Sequence, residues 1–200
     1  MATLLGVIVL VAARSLAALG RAGDHRALLA VYGGAHGAWA WPMIALTILG
    51  GGWSALLLVP MVWHPRTRRF AGALASAIVA QAVLVWAAKR AVGRVRPWIS
   101  LGLPAPLGAP HDGSFPSGHA AGSFCVAAFL ALALPAAWPG APARARLVAG
   151  GAFVLAALVA LSRVYLGAHF PSDVLCGALL GALIGALAGG LYARARSPVR

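Results

Sequence analysis

Carboxylates are almost missing from this chain. Its 200 residues include three acidic side chains, Asp24, Asp112 and Asp173, against 16 lysines and arginines. Hard cations such as Mg²⁺ or Ca²⁺ gather several oxygen ligands, and three scattered aspartates are poor material for that, so no metal site is expected. Cysteine is scarce too. Cys125 and Cys176 fall inside apolar runs and read as small packing residues, supplying neither a disulfide framework nor a metal cluster. Charged residues make up only 10% of the chain, where a soluble domain carries about a quarter. The formal net charge of +13 sits singly or in short clusters between apolar spans. Membrane topology and anionic lipid headgroups account for that arrangement, and nucleic acid is not an expected partner.

What the chain has is apolar length. Apolar residues make up 62%, and several runs approach the ~20 residues that cross a hydrocarbon core. The reading is an all-α polytopic protein: six transmembrane helices in one bundle, a single domain over 1–200. The spans are placed at 3–19, 41–63, 70–91, 118–138, 147–163 and 172–192, with a short interfacial helix at 24–32. The apolar run 2–13 has no basic region before it and reads as the first span rather than a removed leader. Gly50, Gly51 and Gly52 loosen the second span, where helices can pack closely. Trp39, Trp41, Trp63, Trp86 and Trp138 fall near span ends, as an aromatic belt requires. Lysine and arginine are nearly balanced between the two faces. Once those with a candidate chemical role are discounted, the positive-inside rule puts both termini in the cytoplasm. The loops at 92–118 and 164–171 then face the extracytoplasmic side of the plasma membrane.

Three polar stretches converge on that face. Lys89 and Arg96 are seven residues apart, about two helical turns. They would share a face of a third span that continues nearly to Pro97, where proline ends the helix. Pro116, Ser117, Gly118 and His119 open the fourth span, with Pro116 suited to its first turn. A helix start with free N–H groups and a positive dipole end is an anion site. Arg163 closes the fifth span, and His169 and Asp173 open the sixth, four residues apart and so on one helical face. A carboxylate on one imidazole nitrogen fixes the tautomer and leaves the other a better nucleophile or base. Each stretch alone has a plain structural explanation, as a basic anchor, a helix cap or a capping pair. Together they bring two histidines, a carboxylate, three cations and a helix start to one face, and ionisable groups at membrane depth are costly unless functional. The inventory suits phosphoryl transfer. Lys89, Arg96 and Arg163 can neutralise a phosphate, and Ser117 and the N–H groups near Gly118 can hold an oxygen. One histidine can attack phosphorus while the other protonates the leaving oxygen, without deciding which does which.

These residues resemble the three signature motifs of the type 2 phosphatidic acid phosphatase (PAP2) superfamily: Lys-x6-Arg-Pro, Pro-Ser-Gly-His and Ser-Arg-x5-His-x3-Asp. Here they are Lys89 to Arg96-Pro97, Pro116 to His119, and Ser162-Arg163 to His169 and Asp173. Every motif position is filled in order, within 89–173. The resemblance implies a metal-independent lipid phosphate phosphatase without a cofactor. It implies His169 as nucleophile and phosphohistidine, Asp173 as its orienting carboxylate, and His119 as general acid and then base. Lys89, Arg96, Ser117, Gly118 and Arg163 would bind phosphoryl oxygens. The implied partners are the bilayer and a lipid phosphate of the phosphatidate, phosphatidylglycerophosphate or undecaprenyl diphosphate type. Three alternatives share the residues: a lipid phosphotransferase working through the same phosphohistidine, a zinc hydrolase using His119, His169 and Asp173 as ligands, and a non-enzymatic lipid-phosphate binder or transporter.

Overall fold

A computed structural model describes residues 21–34, 36–52, 58–106 and 111–196. The expected first span, at 3–19, lies outside the described residues. The described ones are helical: α1 (Arg21–Val31), α2 (Ala40–Leu49), α3 (Val59–Trp63), α4 (Arg68–Val92), α5 (Pro97–Ser100), α6 (Gly118–Ala137), α7 (Pro142–Tyr165) and α8 (Pro171–Arg196). Four stretches are long and apolar enough to cross a membrane: Arg68–Ser100, which joins α4 and α5, then α6, α7 and α8. The chain is a multi-pass membrane protein. The second expected span is not one helix among the described residues. Apolar α2 ends at Gly50, and α3 begins only at Val59.

Helix ends follow local chemistry. Gly93 stops α4 in the left-handed conformation (φ 61°), its N–H bonded to the Lys89 carbonyl, a backbone state that favours glycine. Arg96, extended ahead of Pro97, then starts α5. Lys89 and Arg96 therefore do not share one continuous helical face, contrary to expectation. Arg96 reaches the site from the link. Pro116 likewise precedes α6 instead of occupying its first turn. Ser117 is the N-cap, its hydroxyl accepting from the Ala120 N–H at 3.5 Å.

The centre of the bundle is the pair α6 and α8. Gly177, Gly181, Gly185 and Gly189 recur every fourth residue along α8. A Cβ on any of them would overlap the backbone carbonyl oxygen of Ser117, Ala121, Cys125 or Phe129 on α6. Only glycine lets the two backbones approach so closely, a small-residue packing typical of membrane helices. Leu175, Leu179, Leu183, Leu187 and Leu191 point outward, each 64–68% exposed. A ridge that would be a liability in water suits lipid tails. At the end far from the site, Phe70, Phe129 and Tyr192 pack edge to face, centroids 5.1 and 5.4 Å apart. Beneath the site, Leu28 of α1 joins Ala120, Ala160, Val164, Phe170 and Val174 in a second buried cluster.

Candidate active site

The polar residues gather where α4, α6, α7 and α8 end together. Lys89, in the last turn of α4, donates from Nζ to the Gly113 carbonyl at 2.7 Å and pairs with Asp112 Oδ2 at 2.8 Å. Arg96 Nη2 meets Asp112 Oδ1 at 2.5 Å, and its Nε donates to the Asp112 carbonyl at 2.9 Å. One carboxylate thus sits on both cations. Partial burial works against the charged form of Asp112, but hydrogen bonds from Lys89 and Arg96 outweigh it and hold the carboxyl below its usual range.

Arg96 is itself buried, and it carries the link to the histidine. Its Nη1 donates to the Ala168 carbonyl at 2.9 Å and lies 3.3 Å from His169 Nε2. His169 Nδ1 lies 2.7 Å from the Ser114 carbonyl oxygen. A carbonyl only accepts, so Nδ1 carries the proton and Nε2 keeps its lone pair toward Arg96. Burial, reinforced by the charges of Arg163 and Arg96, pushes the His169 pKa down to about 4, against the opposing pull of Asp173. The ring is neutral at pH 7.

His169 precedes α8 rather than sharing a helical face with Asp173. Its Nδ1 is 3.7 Å from Asp173 Oδ2, and the nearer partner is the Ser114 carbonyl. Asp173, fully buried, is saturated by donors instead: the Ser114 hydroxyl, the Phe170 N–H at 2.9 Å and Arg94 Nη1 at 2.6 Å. A buried carboxylate is tolerated only with such company. The backbone closes around the same point. Ser117 N–H donates to the Asp173 carbonyl at 2.9 Å, and His169 N–H to the Arg163 carbonyl at 3.1 Å.

Arg94 and Asp24 were not singled out in the sequence, yet they frame this centre. Arg94 donates to Asp173, to the Ser172 hydroxyl at 2.7 Å and to Asp24 at 2.8 Å, and lies 4.2 Å over the Phe170 ring. Asp24 of α1 also accepts from Ser172 N–H at 2.9 Å and from Ser172 Oγ at 2.5 Å, so it caps α8 from another helix. His25 stacks on Phe170, centroids 5.2 Å apart.

His119 and Gly118 share a cavity of about 320 Å³ with Lys89 and Asp112; it continues past Gln81 and Gly122 between α4 and α6. Arg163 is placed differently from the other cations. Its Nη1 donates to Thr47 Oγ1 of α2, while its buried Nε has no hydrogen-bond partner among the described residues. Among the described residues, no three His, Cys, Asp or Glu side chains group as a metal site. The eight residues singled out by spacing are thus gathered at one end of the bundle. Arg96, His169 and Asp173 are in direct sequence of contact, Ser117 is tied to them through the backbone, and Lys89 is joined through Asp112.

Residues 70–196 match the family model of the PAP2 superfamily. Phosphatidylglycerophosphatase B of Bacillus subtilis is 40% identical over 98 residues, 48% of each chain. Decaprenylphosphoryl-5-phosphoribose phosphatase of Mycobacterium tuberculosis is 37% identical over 130 residues, 64% of this chain and 65% of that one. The chain thus spans about half to two thirds of the length of these curated relatives. Among solved structures, a transmembrane PAP2-type phosphatidylglycerolphosphate phosphatase from Bacillus subtilis superposes with a TM-score of 0.76 at 30% identity, covering 98% of this chain and 96% of that one. LpxE of Aquifex aeolicus gives 0.57 at 27% identity, covering 73% and 82%. The segment matched by the family model takes in Lys89, the start of α6 and the His169 loop together, and the chain belongs to the PAP2 superfamily.

Proposed function

We propose that the protein is a membrane lipid phosphatase that removes phosphate from a lipid phosphomonoester or diphosphate through a phosphohistidine. The observation that carries this reading is His169 Nε2, unprotonated and 3.3 Å from Arg96 Nη1. A nucleophilic nitrogen stands beside the guanidinium that would hold the phosphoryl oxygens. Substrate phosphate takes Lys89 and Arg96 over from Asp112, with Ser117, Gly118 and Arg163 completing its cradle, and the unpartnered Arg163 Nε is a donor suited to it. His169 Nε2 attacks phosphorus, and the bond to the lipid oxygen breaks as that oxygen takes a proton from His119. His119 then removes a proton from water, which attacks the phosphohistidine and frees inorganic phosphate. Asp173, through Ser114, Phe170 and the Ser117 backbone, holds the attacking ring in place.

Phosphatases acting on phosphatidylglycerophosphate and on a prenyl-linked phosphoribose are the named relatives, which favours a lipid-linked phosphate here. The proposed setting is a single domain of six spans in the plasma membrane. Both termini would be cytoplasmic and the site extracytoplasmic, at headgroup depth. Purified protein in detergent, with chelator present, is expected to release inorganic phosphate from members of a lipid phosphate panel. Absence of release from all of them would overturn the reading, and transfer of labelled phosphate to an acceptor lipid would redirect it to a phosphotransferase.

Arg94 acts in this scheme as a positioning residue. Its planar fork spans Asp173, Ser172 and Asp24 at once, which a lysine ammonium cannot reproduce. Arg94→Lys is expected to lower kcat about tenfold while leaving KM within a factor of about two, the scale seen when an outer partner of a catalytic group is lost. Steady-state kinetics on one lipid phosphate checks this, and an unchanged kcat would remove Arg94 from the catalytic apparatus.

A further inference from the structure

Gln81 lies in the middle of α4, among apolar neighbours, and is only 6% exposed. Its Oε1 has no hydrogen-bond partner among the described residues. A buried acceptor without a donor costs stability, and replacing it with an apolar residue would remove that cost. The side chain lines the same cavity that holds Lys89, Asp112, Gly118 and His119 at its polar end. Depth can be read from α6. Val85 packs at Gly118 and Gln81 at Gly122, so Gln81 lies one helical turn, about 6 Å, below the start of α6. A group bound to the phosphate cations would extend toward Gln81 with the first few atoms of its alcohol.

We propose that this cavity seats the leaving alcohol of the substrate and that Gln81 Oε1 accepts a hydrogen bond from a hydroxyl near the phosphate ester. The proposal rests on the phosphatase reading and narrows its substrate class. It favours hydroxyl-bearing lipid phosphates, built on glycerol or a sugar, over a bare polyprenyl chain, which offers Gln81 only carbon. The acceptor also lies too deep to serve the phosphoryl oxygens, which carry no donor when ionised.

The test is a matched pair of lipids: a monoacylglycerol 3-phosphate with a free 2-hydroxyl, and its 2-deoxy counterpart. Wild type is expected to favour the hydroxylated lipid by about five- to tenfold in kcat/KM, the worth of one neutral hydrogen bond in a dry site. Gln81→Met, which keeps length and removes the acceptor, is expected to bring the ratio close to one, with little change for the deoxy lipid. Calorimetric binding of the same two lipids gives a readout that does not need turnover. If phosphate is released from neither lipid, the phosphatase reading fails, while a binding preference lost in Gln81→Met still upholds the subsite. A wild type without preference, or a preference that survives in Gln81→Met, overturns the subsite whatever the rates.

Discussion

Phosphate release is expected to fall by about 10³-fold or more when His169 is replaced by alanine, the scale on which removing a covalent nucleophile acts. The variant is expected to insert and to unfold near the wild-type temperature. Ser114 and Asp173 keep their mutual hydrogen bond, and only one 2.7 Å contact to a carbonyl is lost. The reason for so large an effect is that no neighbour can take over the role. The remaining candidate, His119, sits across the cavity beside Lys89 and Gly118 and is needed for the proton. With the His169 pKa near 4, its lone pair is available at neutral pH. Protonation of this ring should therefore depress the rate only as pH falls toward 4, well below the usual histidine range. A phosphate-release assay on the purified variant checks both points. Near-normal turnover would remove the covalent mechanism, and retained lipid-phosphate binding without turnover in the wild type would favour a binder or transporter.

The largest expected loss of stability comes from the helix pair rather than the site. Gly181→Val should destabilise the fold by about 3 kcal/mol or more, since overpacking a rigid contact costs 1–3 kcal/mol even where side chains can yield. Here the obstacle is the Ala121 backbone itself, which moves only if α6 and α8 separate. Gly151→Ala is the internal control. Nothing lies within reach of its added methyl, and alanine is the better helix former by up to about 1 kcal/mol. Thermal unfolding in detergent should show a large drop for the first and no drop, or a small rise, for the second. Comparable shifts would mean that the α6–α8 contact is not what holds the bundle.

Much of the site was legible because its chemistry is written in short spacings. Lys89 to Arg96-Pro97, Pro116 to His119 and Arg163 to Asp173 are each local in sequence. The structure brings them to one end of the bundle, although helix and link are divided differently from expectation at Gly93 and Pro116. What spacing could not reveal are partners supplied from far along the chain. The Ser114 carbonyl on His169, Asp24 reaching 148 residues to Ser172, and Thr47 on Arg163 depend on which helices become neighbours. A backbone oxygen leaves no trace in residue identity at all. Asp112 was noted only as one of three carboxylates, since nothing local says that two cations will close on it. The glycines of α8 are a different case. Their four-residue interval is plain in the sequence and is a known packing signal, but it is easily lost in a chain where glycine and alanine are everywhere.

That interval has a consequence for assembly. A ladder repeating every four residues matches itself again after a slide of one rung, about 6 Å along the helix. Gly177 in the place of Gly181 would clear the same carbonyls, so the glycines alone do not decide which rung meets which. The decision is made at one end. Only in the observed alignment does Asp173 offer its carbonyl to Ser117 and its carboxylate to Ser114 and Arg94, while Ser172 meets Asp24. One rung away in either direction, those buried donors and acceptors face the wrong residues. The polar centre is therefore the registration mark of the bundle: the helices can lock in step only where the carboxylate already stands behind its histidine.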